Sequence, residues 1–211
     1  LTDVTGVQTC ALPIWLQDRN LSNLDLRGFD FRDFDLQNVN LDYSNLEGAI
    51  LDSVILGKAS LRETQMQGVR AQRADLWGAD MTRAFLQGAD FREASLYYAD
   101  LRLANMRNVN LQRTSLRGTD LRGAQMQGVN LQGAILWSTI GNGDEIKSLQ
   151  CGEYDIAFTR DIMQIGCQQH RIDEWFEFDD DVIDFMHKNA LTWWRKWGPT
   201  LKQIVEANQQ T

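Results

Sequence analysis

From residue 79 to residue 103 the chain reads ADMTR AFLQG ADFRE ASLYY ADLRL, five consecutive groups of five residues with one pattern. The third residue of each group is large and apolar, and we call it the central residue. The period extends outward in both directions, so that all 25 positions in steps of five from Leu16 to Leu136 are apolar, and 18 of them are Leu. Neither a helix nor a simple strand repeats every five residues. A fixed short repeat without an insertion indicates a solenoid.

Two further positions of the unit have a restricted composition. From Val39 to Ala134 the residue two places before the centre is Ala, Val, Thr or Ser, and the residue directly before the centre is often Asp or Asn. We expect the small residue to point inward, where a Leu would clash, and the Asp or Asn side chain to hydrogen-bond a backbone N–H group in the turn. The chain must then turn by about a right angle in each unit, so that four units close one coil, and successive coils stack like strands of a parallel sheet.

These residues resemble the repeats of the pentapeptide-repeat family over residues 16–137. The resemblance implies a mainly β fold, the right-handed quadrilateral β-helix of that family. If the coils stack every twenty residues, Phe31, Leu51, Ala71 and Phe91 form one column. The small Ala71 would leave room there for the larger Phe91, as close packing requires.

The segment before the repeat is interpreted separately. Residues 4–14, VTGVQTCALPI, resemble the translation of a common sequencing-library adapter. We therefore treat residues 1–15 as an artefactual or non-native leader and exclude them from fold reasoning. On this interpretation Cys10 has no chemical role, and we expect the natural N-terminus to be missing.

The repeat register stops at Trp137-Ser138, which predicts a β-helix in residues 16–138 and a small α+β tail in residues 139–211. Local patterns predict three short strands, a helical turn and two helices. Their ranges are residues 145–150, 154–159, 162–167, 172–176, 179–188 and from 189 onward. Because an open solenoid end exposes unpaired backbone and apolar side chains, the simplest role of the tail is to cap the last coil. The tail also resembles one found on bacterial and phage members of the family, which implies no function.

Details of the two helices follow from their residue types. Asp179 is suited to cap the first helix, with further carboxylates in its first turn. In the second helix we expect Trp194 and Trp197 to face inward, and the Gly198-Pro199 pair to kink or split the helix.

Composition excludes several classes of protein. The 211 residues include 21 Lys or Arg and 29 Asp or Glu, for a formal net charge of −8. Residues 16–137 have a net charge of −1 and residues 138–211 have a net charge of −6. General nucleic-acid binding needs an excess of basic residues, so we expect no direct nucleic-acid contact. Apolar runs are too short for a membrane span, and three cysteines do not make a disulfide scaffold. We expect a cytoplasmic protein without membrane contact.

The tail contains weak candidates for chemistry. Cys151, Cys167, His170 and His187 could supply the four ligands of a structural zinc site, although their spacing matches no standard zinc finger. Cys167 and His170 could instead form a nucleophile–base pair, with Glu174 to orient the histidine. Buried cysteines and ordinary surface histidines explain the same residues more simply. We therefore predict no catalytic residues, no metal and no cofactor.

Three functions are compatible with the sequence. The favoured one is a non-enzymatic interaction scaffold that presents one face of a rigid rod to a protein partner. The resemblance also suggests a DNA mimic that binds gyrase or topoisomerase, because some family members protect these enzymes. Mimicry needs a strongly negative rod, whereas arginine often follows the central residue here. The third possibility is an enzymatic activity in the tail.

One face of the predicted rod is a candidate for partner binding. Columns of twenty residues place Trp77, Tyr97, Arg117 and Trp137 one above another, each directly after a central Leu, with Tyr98 beside them. Exposed aromatic rings offer a large contact surface, which favours self-association or a protein partner. The same column could merely stiffen the sheet, with Arg117 packed on neighbouring rings as a cation–π pair. The tail could also fold back over Trp137.

Overall fold

A computed structural model of the protein describes residues 16–209, and the leader of residues 1–15, with its adapter resemblance and Cys10, lies outside the described residues. Single-residue parallel bridges join positions twenty residues apart, from Asn20 with Asn40 to Asp120 with Ile140. They recur every five residues, so each coil has four sides. The predicted solenoid of stacked coils is confirmed.

The interior of the rod contains the central residues and the small residues that precede them. Phe31, Leu51, Ala71 and Phe91 all lie in one buried core cluster. Their N–H groups bond to carbonyls in the next coil, for example Leu51 to Arg70 and Ala71 to Asp90. The four residues therefore stack in one column, as predicted from the period.

Hydrogen bonds between coils follow the five-residue unit. In the group around Leu96, the N–H of Leu96 donates to the carbonyl of Ser115 at 2.9 Å and the N–H of Tyr98 donates to that of Arg117 at 2.8 Å. The N–H of Asp100 donates in the opposite direction, to Ala79 of the preceding coil, at 2.9 Å. Each internal coil is thus held to both neighbours through its backbone.

The corners use the predicted turn chemistry. The Oδ1 atom of Asp80 accepts the N–H of Thr82 at 3.0 Å, two residues further on. The second residue after the centre has a positive φ, whether it is Gly118 at +65° or Tyr98 at +56°. Glycine adopts this conformation without steric cost because it has no Cβ atom. For other residues the conformation is unfavourable, and the packing and hydrogen bonds of the coil offset that cost.

The first described coil departs from the unit. Leu24, Phe29 and Phe34 stand two places before a central residue, where every unit from Val39 onward has a small residue, and the exposed fractions of Leu24 and Phe29 are 43% and 41%. Phe29 stacks on Phe31 at 5.8 Å, and Phe34 meets the same ring edge-on at 5.7 Å. The series of small residues thus begins only after this coil, at Val39.

The tail is a four-stranded antiparallel sheet followed by three helices. The strands are β1 (Lys147–Cys151), β2 (Tyr154–Phe158), β3 (Ile162–Ile165) and β4 (Gln168–Arg171), in that order across the sheet. The helices are α1 (Ile172–Glu177), α2 (Asp180–Met186) and α3 (Ala190–Gln209). Three strands were predicted within two residues of their observed ends. β4 was missed because its sequence, QQHR, is polar and is only half-buried.

The helices confirm the expected cap of α2 and the inward-facing tryptophans of α3. The Asp179 side chain accepts the N–H of Val182 at 2.9 Å and caps α2, as predicted. Trp194 and Trp197 are half-buried and pack against the tail core, as predicted. The most buried tryptophan of α3 is Trp193, which was not predicted, and its indole N–H donates to the carbonyl of Cys151 at 2.6 Å.

The expected interruption of α3 at Gly198-Pro199 does not occur, since one helix runs from Ala190 to Gln209. Pro199 removes the hydrogen bond to the carbonyl of Arg195, but both residues are exposed, so water can satisfy that carbonyl. Gly198 is buried against Trp194, where an added Cβ would lie only 3.1 Å from the indole ring. The close approach of this ring explains the glycine.

The tail packs directly on the last coil. Ile146 and Ala157 belong to the buried core of the rod, and Ile162 packs against it. The side-chain oxygen of Gln164 accepts the N–H of Leu136 at 3.0 Å, and the side-chain amide of Gln169 donates to the carbonyl of Ala134 at 2.8 Å. These amides satisfy backbone groups that a further coil would otherwise bond.

The buried centre of the repeat gives a stability prediction. Leu96→Ala should lower the free energy of unfolding by about 2–5 kcal/mol through cavity formation, and Leu96→Asp should prevent folding of the surrounding coils. The exposed Leu103 provides the control, since Leu103→Ala should cost less than about 0.5 kcal/mol. Urea denaturation followed by circular dichroism measures both. A folded, soluble Leu96→Asp variant would contradict the solenoid core.

Candidate interaction site

One face of the rod presents a continuous set of large side chains. We define the aromatic ladder as Trp77, Tyr97, Tyr98, Arg117 and Trp137. The backbone joins its steps directly, because the N–H of Gly78 donates to the carbonyl of Tyr97 at 2.8 Å and the N–H of Gly118 donates to that of Trp137 at 2.9 Å. The predicted side chains are therefore brought together on neighbouring coils.

The ladder remains open to solvent in the described structure. The exposed fractions are 41% for Trp77, 60% for Tyr98 and 37% for Trp137, while Tyr97 and Arg117 are half-buried. The tail reaches the neighbourhood of Trp137, where the hydroxyl of Ser138 donates to the carboxylate of Asp155 at 3.0 Å. This contact leaves more than a third of Trp137 exposed, so the tail does not cover the ladder.

Contacts within the ladder hold its members in place. The guanidinium of Arg117 lies 4.0 Å from the ring centre of Trp137 and 5.6 Å from that of Tyr97, which is cation–π geometry. The rings of Tyr97 and Tyr98 are 4.3 Å apart, and a hydrogen bond with Tyr98 raises the pKa of Tyr97. The stiffening role and the exposed surface thus coexist in one structure.

Small residues shape the edges of the ladder. Gly57 lies one coil below Trp77, and an added Cβ there would meet the indole at 3.7 Å. Gly118 lies one coil above Tyr98, and an added Cβ would lie 2.4 Å from the phenol ring. The ring of Tyr98 therefore occupies the space that a side chain at position 118 would need.

Arg117 differs from most of the other arginines that follow a central residue. Arg92, for example, pairs with Asp90, which stands two residues before it, at 2.7 Å. The residue two before Arg117 is Ser115, and among residues 16–209 Arg117 forms no ion pair. Arg107 also lacks an ion pair within residues 16–209, but its Nε donates to the side chain of Gln127. The buried Nε atom of Arg117, in contrast, has no hydrogen-bond acceptor. The ladder thus contains a guanidinium whose charge no neighbouring carboxylate balances.

A second face, which sequence reasoning missed, is a shallow groove lined by four arginines. Its lining includes Arg62, Arg83, Arg102, Arg122 and the exposed side chains of Tyr43 and Leu103. These arginines are paired with carboxylates, as in Arg102 with Asp100 and Arg122 with Asp120, each at 2.6 Å. Their positive charge is therefore largely balanced within the rod.

The most buried carboxylate of this face is Asp42. Burial opposes its ionisation, but hydrogen bonds from Arg62 and Ser60 outweigh burial and hold the pKa of Asp42 below its ordinary value. The hydroxyl of Ser60 donates at 2.6 Å, and the guanidinium of Arg62 donates through two nitrogens. Ser60 stands where other units have Asp, so Arg62 finds its partner in the preceding coil.

The four candidate zinc ligands do not form one site. Cys151 is buried in the tail core, where burial raises the pKa of its thiol, whereas Cys167 is exposed. His170 meets Trp175 edge-on at 5.1 Å, and Nδ1 of His187 hydrogen-bonds the Tyr154 hydroxyl at 2.8 Å. Within the described part of the chain, no group of three or more His, Cys, Asp and Glu side chains is placed to hold a metal ion.

No hydrogen bond joins the candidate nucleophile Cys167 to the candidate base His170 in the described part of the chain. Cys167 lines a small apolar cavity together with Tyr154 and His187, and His170 is not part of that lining. Glu174 lies 3.9 Å from Nδ1 of His170, near the position expected of an orienting group. The cavity that Cys167 lines therefore contains His187 and not His170.

The repeats identify the family of the chain. The family model described as pentapeptide repeats matches it in eight copies, over residues 20–57, 59–96, 72–108 and 99–137. These matches span more than half of the chain, which therefore belongs to the pentapeptide repeat family. The aromatic ladder lies within the matched residues, and the tail follows them.

Several solved structures are similar to this chain. A pentapeptide repeat protein of the Arabidopsis thaliana thylakoid lumen is 25% identical, with a TM-score of 0.29 over 53% of this chain and 60% of that one. A trypsin-treated variant of QnrB1, a plasmid-mediated fluoroquinolone resistance protein, is 21% identical, with a TM-score of 0.30 over 58% and 72%. HetL, involved in heterocyst differentiation regulation in the cyanobacterium Nostoc, is 23% identical, with a TM-score of 0.26 over 62% and 90%.

The family assignment rests on the repeat match, since these TM-scores are low. No curated protein matches the chain significantly. Among residues 16–209, no helix has the length and apolar character needed to cross a membrane.

A matched pair of glycines tests the packing of the ladder. Gly118 and Gly48 share a φ of +65°, but an added Cβ meets Tyr98 at Gly118 and nothing within 4 Å at Gly48. Gly48→Ala should cost about 1 kcal/mol of stability for its backbone conformation alone, and Gly118→Ala about 1 kcal/mol more. Urea denaturation measures the difference, which should vanish in a Tyr98→Ala background. Equal costs in the wild-type background would show that Tyr98 does not pack over Gly118.

Proposed function

We propose that the protein is a non-enzymatic protein-interaction scaffold and that the aromatic ladder is its contact surface. The observation that carries this proposal is the exposure of Trp77, Tyr98 and Trp137 along a backbone that is hydrogen-bonded from coil to coil. A whole aromatic side chain buries about 150–250 Å² in a contact, and the exposed part of each of these rings can supply a share of that area. The partner is a protein, which includes a second copy of this chain, rather than nucleic acid or a membrane.

Preorganisation supports this function. Arg117 is already stacked between Tyr97 and Trp137, and Tyr97 is already packed on Tyr98. Association loses side-chain freedom as well as translational freedom, so side chains that are fixed beforehand bind at a smaller entropic cost. A stiff ladder is therefore a better contact surface than the same rings on a flexible loop.

The finer description of the architecture belongs to the same proposal. Residues 16–138 form a right-handed quadrilateral β-helix, and residues 139–211 form a domain that caps its last coil. Burial of Ala157 in the rod core supports this role, as do the hydrogen bonds from Gln169 to Ala134 and between Gln164 and Leu136. A covered end would keep the rod from adding strands of other chains.

The charge arrangement favours a scaffold over a DNA mimic. A mimic of duplex DNA needs an uninterrupted negative surface, whereas Asp90, Asp100 and Asp120 each pair with an arginine two residues further on. Residues 16–137 contain nearly equal numbers of acidic and basic side chains. The rod therefore offers no strongly negative face to gyrase or topoisomerase.

The ladder can be tested with a double variant. Trp77→Ala with Tyr97→Ala should weaken association with the partner or with a second copy, because it removes two of the large rings. Tyr43→Ala is the matched control, since Tyr43 is 55% exposed on the groove face of the same rod. Sedimentation velocity, with cross-linking to map the contact, measures association, and far-ultraviolet circular dichroism should remain unchanged.

Two results together would contradict the ladder as a contact surface. One is a wild-type chain that stays monomeric at every concentration, and the other is cross-linking to partners that is equal in wild type and the double variant. An effect of Tyr43→Ala as large as that of the double variant would place the contact on the groove face instead.

The capping role makes a separate prediction. Ala157→Arg should place a charge against the last coil and separate the tail from the rod without touching the tail core. Deletion of residues 138–211 should have the stronger effect of end-to-end association or aggregation, visible by light scattering. If the truncated rod is as soluble and monomeric as the full chain, the tail has another role.

A further inference from the structure

The ladder has a positive charge that the rest of its column does not balance. On the neighbouring column the residues directly before the central leucines are Asp75, Ser95, Ser115 and Ile135. The carboxylate is thus lost from the three upper coils of this face, and Arg117 stays unpaired among aromatic rings. A guanidinium fixed in this way suits a carboxylate supplied from outside, since both groups bind in a planar, bidentate geometry.

The tail presents a surface of complementary character on α2. Phe185 has an exposed fraction of 94%, the highest among the large exposed apolar side chains in the described part of the chain. Val182, one turn earlier, is 41% exposed, whereas Ile183 between them is buried in the tail core. The helix is therefore anchored by one side and offers an apolar side chain on the other.

Helix α2 also carries several carboxylates. Asp180 is paired with Arg195, and Asp179 caps the helix. Asp181 and Asp184 are exposed and form no ion pair within residues 16–209. The outer surface of α2 thus combines a protruding phenyl ring with negative charges that no described residue balances.

We propose that the aromatic ladder of one copy binds helix α2 of a second copy. This inference rests on the proposed function of the ladder as a contact surface. Phe185 would pack among the exposed rings of the ladder, and Asp181 or Asp184 would pair with Arg117. The interaction is a partly buried aromatic contact oriented by one charge-assisted pair, which is the usual composition of an interface hot spot.

Charge favours this arrangement over a pairing of two ladders. The ladder face also includes Lys58, whose ammonium lies 4.7 Å from the ring centre of Trp77. The carboxylate near this ring is that of Asp75, which accepts the backbone N–H of Trp77. A pairing of two ladders would therefore bring two copies of Arg117 and of Lys58 to one interface. Between ladder and α2, in contrast, the charges have opposite signs. Because the two surfaces differ, the contact is heterologous. Each copy can bind one neighbour through its ladder and another through its α2, so the assembly is either a closed ring or an open filament.

Sedimentation equilibrium with complementary variants tests the inference. Arg117→Glu, or Arg117→Gln if the reversal disturbs folding, disables the ladder, and Phe185→Ala with Asp184→Lys disables α2. Each should raise the dissociation constant of self-association at least about 30-fold, as expected for hot-spot residues. Tyr43→Ala should leave it unchanged, and added salt should weaken the wild-type contact. Circular dichroism and the urea midpoint verify folding.

Mixing the two disabled chains gives the decisive result. One chain retains an intact α2 and the other retains an intact ladder, so the mixture should form a one-to-one heterodimer that cannot grow further. Wild type alone retains both surfaces, so each copy can make two such contacts, whereas each copy in the mixture can make only one.

Two outcomes would overturn the inference: a wild-type monomer at all concentrations, or a mixture of the two disabled chains that does not associate. If the ladder variant weakens self-association and the α2 variant does not, the inference fails while the proposed function of the ladder stands. If neither variant has an effect on an associating wild type, the ladder is not the surface and both fail.

Discussion

The whole rod depends on the burial of one large apolar side chain every five residues. Each central residue, such as Leu96, points into a dry core, and the small residue two places before it fills the corner. Because this spacing turns the chain back on itself, backbone groups twenty residues apart come within hydrogen-bonding distance. Burial of the central residues sets the five-residue period. The hydrogen bonds between coils then fix the position of each coil on its neighbour. A shift by one residue would expose the centres and break both.

This constraint leaves the outward positions free to vary, and function can use that freedom. Arginine after the centre is balanced by an Asp two residues before it on most faces, as with Arg102 and Asp100. On the ladder face aromatic rings take these places, and Ser115 stands where Arg117 would have its carboxylate. The tail completes the rod by satisfying the last coil through Gln164 and Gln169. Stability and recognition are thus assigned to different positions of one unit.

Much of this organisation can be predicted from the sequence. The five-residue repeat determines which side chains point inward or outward, and the twenty-residue coil determines which side chains are stacked on one another. The stacking of Trp77, Tyr97, Arg117 and Trp137 follows from the period alone. Features that depend on tertiary contacts could not be predicted in this way. Strand β4 has a polar sequence, and it is a strand because it pairs with β3. Trp193 can be buried because the carbonyl of Cys151 accepts its indole N–H group. The exposure of Phe185 likewise depends on which side of α2 meets the tail core.

Residue-resolved amide hydrogen exchange tests the five-residue coil most directly. The N–H groups of Leu96, Tyr98 and Ala99 are bonded to backbone carbonyls, whereas those of Tyr97 and Arg117 have no acceptor in the described part of the chain. Exchange should therefore be slow at the first three residues and fast at Tyr97 and Arg117, whereas the equivalent amide of Thr82 is bonded to the side chain of Asp80 and should exchange more slowly. Slow exchange at Tyr97, or an alternation of fast and slow amides with a period of two residues, would contradict the account.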